Sequence, residues 1–389
     1  MPTAPDDQVA ERAVSGAEIV LEDVVKRYPG QERAAVDSLS LTIPAGEIVM
    51  FVGPSGCGKT TSLKMINRLV EPTSGTIRIG GEDISGRSPD ELRRHVGYVI
   101  QGGSLFPHMT VEKNIAIVPR LLGWSSEDVD RRVHELLELV GLDPDRYRGR
   151  YPRELSGGQQ QRVGVARGLA ADPPVILMDE PFGAVDPITR QRLQDELLSI
   201  QRELGKTIVC VTHDVDEAIK LGDRIVILDE GARVAQYDTP ANILAAPADD
   251  FVSDFIGSGS TLKQLSLARV SELQLSTTTT ATVGEPVADV VTRAEEAGDR
   301  AVVVLDQRGR PVGWPWVRRL RGQDRVPSYD PERLNTLDRG ATLNDALDLM
   351  LTSSHGAAVV CGDRDQYLGV VDFDLVTGHM RALEEQAGD

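Results

Sequence analysis

Short apolar runs recur through the first half of the chain, and each stops abruptly at polar groups. Ile48-Val49-Met50-Phe51-Val52, Val96-Gly97-Tyr98-Val99-Ile100, Pro174-Val175-Ile176-Leu177-Met178 and Thr207-Ile208-Val209-Cys210-Val211 are short and rich in β-branched residues. That pattern predicts buried strands. Upstream, Ile19-Val20-Leu21 opens a strand that continues through Val24-Val25-Lys26 to a turn at Tyr28, and Thr76 to Ile84 reads as a strand and hairpin. Between these runs the apolar spacing is helical. Leu63, Ile66, Leu69 and Val70 form one stripe, and Val163, Ala166, Leu169 and Ala170 another. A third, Val129, Val133, Leu136, Leu137 and Val140, follows the start signal Ser125-Ser126-Glu127-Asp128. Strands alternating with helices predict an α/β fold with a parallel sheet.

The polar groups at the run ends carry the candidate chemistry, because ligands of parallel sheets sit at the carboxyl ends of the strands. After Val52 comes Gly53-Pro54-Ser55-Gly56-Cys57-Gly58-Lys59-Thr60, with Thr61 opening the helix. Strand, glycine-rich turn and helix N-terminus in that order make a phosphate-binding loop. Backbone N–H groups and the helix dipole would cradle phosphate, Lys59 would reach the β- and γ-phosphates, and the Thr60 hydroxyl would hold Mg²⁺. Gln101 tips the next strand. Asp179 and Glu180 cap another; the first suits Mg²⁺ and the second suits a general base. His213 stands after Val211 and Thr212, within reach of a γ-phosphate. Tyr28 offers a flat face to an adenine ring. Phe106-Pro107-His108-Met109 reads as an exposed apolar loop and a docking candidate.

Ser156, Gly157, Gly158 and Gln159 begin the helix that carries Val163 and Leu169, which makes a second anion-binding helix end. One nucleotide does not need two such ends from one fold. A second such end has a use only if it comes from another subunit; taken alone, Ser-Gly-Gly reads equally as a turn.

Composition narrows the class without changing this picture. The 389 residues are 40% hydrophobic and 26% charged, enough for two or three domains. A net charge of −18 argues against broad contact with nucleic-acid phosphates and favours solubility. Three scattered cysteines, Cys57, Cys210 and Cys361, suit a reducing compartment rather than a disulfide framework. Residues 1–16 are polar with no apolar core, so they predict a disordered tail and no secretion signal. No run reaches the ~18 apolar residues of a membrane span, so another chain would supply any spans.

Taken together, these motifs resemble those of the ABC-transporter ATPases over residues 17–256. The resemblance implies a P-loop NTPase core with a helical subdomain at about 102–165. It implies ATP and Mg²⁺ as cofactors, and the phosphate loop at Gly53 to Thr60 with Tyr28 stacking on adenine. Thr60, Gln101 and Asp179 would surround the metal, with Glu180, His213 and Gln101 as catalytic groups. Leu155 to Gln159 would form the signature motif that closes on the partner's γ-phosphate, and Asp186 the subunit-contacting loop, here with Val185 where family members more often have Leu. An ATP-dependent homodimer follows, at the cytoplasmic face of the membrane beside permease subunits and an extracytoplasmic solute-binding protein.

A second region follows a small-residue stretch at 257–265, which predicts a linker. Within residues 266–384 the chain repeats itself. Val287, Val290, Val291 and Ala294 recur 56 positions later as Leu343, Ala346, Leu347 and Met350, and Val303, Val304 and Gly313 as Val359, Val360 and Gly369. Duplicated small α/β units pack together because neither core is large enough alone. This resembles a tandem CBS pair, a regulatory module. Neither Gly313 nor Gly369 is followed by the hydroxyl residue and acid that commonly contact a ribose; Asp372 and Asp374 are the nearby acids. An ABC ATPase with such a tail resembles the ATP-binding subunits of glycine betaine, choline or proline importers, as does Met65-Ile66-Asn67-Arg68-Leu69-Val70-Glu71-Pro72-Thr73-Ser74-Gly75. The alternatives are an importer of another small solute, such as an amino acid, and a soluble ABC ATPase with no transport role. The single ATPase region and the absence of a heptad run argue against the latter.

Overall fold

The computed structural model describes residues 15–100, 104–183, 185–257, 260–331 and 334–387. The chain divides into two compact units. The first runs to Ile243 and resumes over Pro247–Ile256; the second comprises Leu244–Ala246 and Gly257–Asp389.

In the first unit the four apolar runs join two strands that the sequence reading did not pick out, Arg224–Asp229 and Arg233–Asp238, in a six-stranded sheet. Its order is Arg233–Asp238, Arg224–Asp229, Ile48–Val52, Thr207–Val211, Val175–Asp179, Val96–Ile100. All neighbours are parallel except the edge pair Arg233–Asp238 with Arg224–Asp229. The central strands are buried along their whole length, which is why they show no alternation in sequence. Register fixes the site: Asp179 lies opposite both Ile100 and Val211, so three strand ends finish level with one another.

A four-stranded antiparallel sheet stands beside it, ordered Val36–Ile43, Ile19–Lys26, Ser74–Ile79, Glu82–Asp83. The helix Lys59–Ile66 buries Leu63, Met65 and Ile66 in one core with Ile19, Leu21 and Ile43 of the small sheet and Val49, Phe51 and Val211 of the large one. Both ends of the phosphate loop are therefore clamped in core. The helix Gly157–Leu169 comes very close to the strand Val96–Ile100, because a Cβ on Gly97 would lie 2.5 Å from the Gly168 carbonyl oxygen.

The helical region contains Val111–Ile115, Ile117–Leu121, Ser126–Leu139 and Pro144–Tyr147 before the helix Gly157–Leu169. Ser125 caps the third of these by accepting from the Asp128 N–H. Val140 falls just past its end.

The second unit shows the repeat in its hydrogen bonding. Thr280–Thr282 pairs parallel with Val303–Leu305, which pairs antiparallel with Pro311–Gly313. Thr336–Asp338, Ala357–Cys361 and Tyr367–Asp372 do the same. Thr280 faces Val303 as Thr336 faces Val359, and Val304 faces Gly313 as Val360 faces Gly369. The helices Val287–Ala297 and Leu343–Thr352 cover the two sheets with the residues the 56-residue offset picked out.

Two boundaries differ from the sequence reading. The stretch 257–265 is not all linker: Ser260–Leu265 is helical, and Leu265 packs into the core of the second repeat. Small residues at 257–260 mask a helix whose apolar positions are too few to show a period. The predicted disordered tail, 1–16, lies outside the described residues through position 14. Ser15 and Gly16 are held, by Ser15 Oγ donating to Leu204 O and Gly16 N to Gly205 O at 2.9 Å.

Candidate functional site

The phosphate loop takes its shape from close backbone approach. A Cβ on Gly53 would overlap the Leu228 carbonyl oxygen, and one on Gly58 would lie 2.5 Å from the Ala35 carbonyl oxygen. Both residues have positive φ, 152° and 112°. No side chain caps the helix Lys59–Ile66 at Gly58, so its first turn keeps N–H groups for an anion. Pro54, Ser55 and Gly56 are exposed at the loop tip, whereas Cys57 is buried. Lys59 is buried, and its Nζ donates to Gly53 O at 2.6 Å and Pro54 O at 3.0 Å. The ammonium is thus held by two carbonyl oxygens of its own loop, partners weaker than a charged phosphate oxygen would be.

The strand ends bring the other groups in. Thr60 Oγ1 donates to Asp179 Oδ1 at 3.0 Å, across 119 residues of chain. A hydroxyl and a carboxylate this close supply hard oxygen donors, which is the donor set Mg²⁺ prefers beside nucleotide phosphates. No group of three or more His, Cys, Asp or Glu suited to a metal occurs among the described residues, so the phosphates would have to complete the shell. Glu180 sits at φ 46°, in the left-handed region, and its N–H donates to Val211 O at 2.9 Å. Strain of that kind collects at working residues. Its carboxylate meets His213 Nδ1 at 3.2 Å. Gln101 lies outside the described residues; the strand before it ends at Ile100 beside Asp179.

Tyr28 is half-buried two residues past the strand Ile19–Lys26, with Lys26 Nζ 5.1 Å from its ring centroid. The same hairpin carries Ala35, whose carbonyl abuts Gly58. Ser156 and Gln159 form a reciprocal cap: Gln159 N donates to Ser156 Oγ at 3.3 Å and Ser156 N to Gln159 Oε1 at 3.0 Å. Ser156 and Gly157 are exposed and Gly158 is buried, where a Cβ would come within 2.5 Å of Thr189 Cγ2. The signature segment therefore rests on the helix Pro187–Leu204 that Asp186 caps through the Thr189 N–H.

Sequence reasoning passed over several residues. Asn114 is fully buried and holds the loop that contains Phe106 and Met109: its Oδ1 accepts from Phe106 N at 2.8 Å, and its Nδ2 donates to the Phe106, Met109 and Thr110 carbonyls. A lone Asn in a helical stretch gives no signal of this.

Glu217 is buried near His213. Loss of water pushes its carboxyl up to about 7, a hydrogen bond with Thr212 opposes the rise, and Asp214 adds to it. An unperturbed Glu titrates at 4.5, so the folded chain holds this proton more tightly than the unfolded chain. The group's contribution to stability is complete below pH 4.5 and is lost as pH rises through 7. Glu217→Gln should therefore be more stable than the parent near pH 8, by about 3 kcal/mol at most, and melt higher, with the gap closing towards pH 5. Melting curves at the two values check this; an equal gap at both would rule out the buried charge as its source.

Another cleft lies away from these groups. It has a volume of about 870 Å³, lies within the second unit, and is lined by residues of both repeats including Arg319, Tyr329, Asp330 and His355. The His355 ring stacks between Trp314 and Trp316, at centroid distances of 4.2 and 4.6 Å.

A family model described as ABC transporter matches residues 36–183. The chain is 48% identical over 307 residues to the osmoprotectant import ATP-binding protein OsmV of Salmonella typhimurium, covering 78% of this chain and 80% of that protein. It is 46% identical over 356 residues to the glycine betaine/carnitine/choline transport ATP-binding protein OpuCA of Bacillus subtilis, covering 90% of this chain and 93% of that one. It is also 52% identical over 293 residues to the choline transport ATP-binding protein OpuBA of Bacillus subtilis, covering 75% and 76%. Among solved structures, a dimeric ATP-binding cassette in a post-hydrolysis state, bound to ADP and Pi, aligns with TM-score 0.51 and 36% identity, over 57% of this chain and 98% of that one.

Proposed function

Because this chain belongs to the ABC transporter family, among the ATP-hydrolysing subunits of osmoprotectant and glycine betaine importers, we propose that it powers uptake of a quaternary-ammonium solute of the glycine betaine, choline or carnitine type. Identity to OpuCA across 90% of the chain, tail included, carries this reading. No helix among the described residues is long and apolar enough to cross a membrane, so separate permease subunits would form the path. The chain would work at the cytoplasmic face, and an extracytoplasmic binding protein would deliver the solute.

In the proposed reaction Gly53 to Thr61 wrap the ATP phosphates, and Lys59 leaves its loop carbonyls for the β- and γ-phosphates. Thr60, Asp179 and Gln101 would hold Mg²⁺, whose charge would offset that of the phosphates. Glu180 accepts the proton of the attacking water, and His213, already 3.2 Å from that carboxylate, orients on the γ-phosphate. Tyr28 stacks on the adenine. Ser156 to Gln159 of a second copy close the pocket, so two copies enclose two ATP molecules.

Force reaches the permease through the Phe106–Met109 loop. Phe106 is 45% exposed and borders a groove of about 290 Å³ that includes Tyr98, Ile100, Ile117 and Arg167. Asn114→Ala should leave basal ATP hydrolysis near normal, weaken permease-stimulated hydrolysis and solute uptake, and lower stability by about 2–4 kcal/mol as buried polar groups lose partners. Parallel assays of free and reconstituted protein check it. The cleft between the repeats of the tail, read as a tandem CBS module, is the place where a regulatory ligand would act.

The decisive experiment is reconstitution with the permease pair in vesicles. ATP-driven accumulation of labelled choline or glycine betaine is expected. Accumulation of an amino acid instead, or hydrolysis with no uptake of either solute, overturns the solute assignment.

A further inference from the structure

A polar cluster beside the reacting groups has no part in the scheme so far. Arg190 lies one turn into the helix Pro187–Leu204, just after Asp186. Its Nη2 donates to the Val185 carbonyl at 3.3 Å, and its Nη1 stands 3.7 Å from Asp214 Oδ2. Asp214 follows His213 directly. Asp214 Oδ1 caps the helix Val215–Leu221 by accepting from Asp216 N at 3.0 Å and Glu217 N at 3.1 Å. The Asp214 N–H donates to Thr212 Oγ1 at 3.1 Å, so the turn around His213 is built on this residue. One guanidinium thus spans the loop expected to touch the partner subunit and the turn that presents His213 to Glu180.

Two further atoms belong to the cluster. Arg190 Nε and Glu217 Oε1 are buried, and neither has a partner among the described residues. A buried donor and a buried acceptor left unpaired both carry a desolvation penalty that a small approach would remove. We infer that Arg190 is a positioning residue for hydrolysis: it couples the Val185–Asp186 loop to the His213 turn, so that docking of the partner on one sets the other. Its fork geometry suits this, since one planar group can hold a carbonyl and a carboxylate at once.

The inference rests on the roles given above to Glu180 and His213. The test is steady-state hydrolysis by the full chain and its Arg190→Met, Arg190→Lys and Glu180→Gln variants. Arg190→Met should lower kcat at least about tenfold, with KM and the affinity for a fluorescent ATP analogue changed less than about twofold. Arg190→Lys should recover part of the loss, because an ammonium reaches Asp214 but cannot also hold Val185. Adding Asp214→Asn to Arg190→Met should cost little more, as expected for partners in one network. An unchanged kcat in Arg190→Met overturns the inference, as does a loss that appears in KM or tracks melting temperature alone. Should Arg190→Met not fold, Arg190→Lys decides: lowered kcat at constant KM supports the coupling and full activity refutes it. Turnover in Glu180→Gln would instead sink the reading beneath.

Discussion

Glu180→Gln is expected to lower ATP turnover at least about a hundredfold while ATP still binds with near-native affinity. The amide keeps the size of the carboxylate and its place at the strand end, where the Glu180 N–H is bonded to Val211 and φ is 46°. What it loses is basicity. Nothing in the phosphate loop depends on this side chain, since Lys59 and Thr60 are held by Gly53, Pro54 and Asp179. Binding and closure should therefore proceed and hydrolysis should not. A closed dimer should accumulate in ATP, seen as a doubling of mass by light scattering. Near-normal hydrolysis in this variant would remove Glu180 from its assigned role.

Gly157→Asp tests the two-copy arrangement with comparable force. A Cβ at Gly157 meets no described atom within 4 Å, so the fold of a single chain does not demand glycine there. An acid in the first turn of the helix Gly157–Leu169 even favours folding, by about 0.3–1 kcal/mol, through the helix dipole. The expected result is an unchanged or slightly raised melting temperature, normal ATP binding, no ATP-driven dimer and turnover down at least about a hundredfold. The carboxylate would stand where the partner's γ-phosphate must come, and like charges there cost several kcal/mol. Gly158 is the contrasting case. A side chain there runs into Thr189 of the same chain, so its substitution would lower stability as well as activity. Active, dimer-forming Gly157→Asp protein would show that the signature segment does not face a second nucleotide.

Much of the site was legible because its parts are local. The phosphate loop is a strand, a turn and a helix in immediate succession, and both flanks carry their own apolar pattern. Asp179, Glu180 and His213 stood out because each breaks an apolar run at its carboxyl end. The repeat in the second unit was legible for another reason: equal folds place equal residues at equal offsets, and the offset of Val303 from Val359 returns as ladder register. Asn114, Arg190 and Glu217 were not legible. Each is a common polar residue in a helical stretch, and its importance comes from what folds against it. The helix Ser260–Leu265 escaped because six residues hold too few apolar positions to show a period.

The sequence by itself determined four of the six strands of the large sheet, where the phosphate loop lies and which acids end the strands, because these follow from backbone propensity and the burial of contiguous side chains; Val36–Ile43, Arg224–Asp229 and Arg233–Asp238 were not picked out. Only the tertiary structure decided that Thr60 reaches Asp179, that Glu180 meets His213, and that Arg190 bridges Val185 and Asp214. Those contacts depend on the order and register of parallel strands, which crossovers of many residues bring side by side. A one-dimensional pattern specifies each strand's faces but not its neighbours, and the chemistry of this site lies between neighbours.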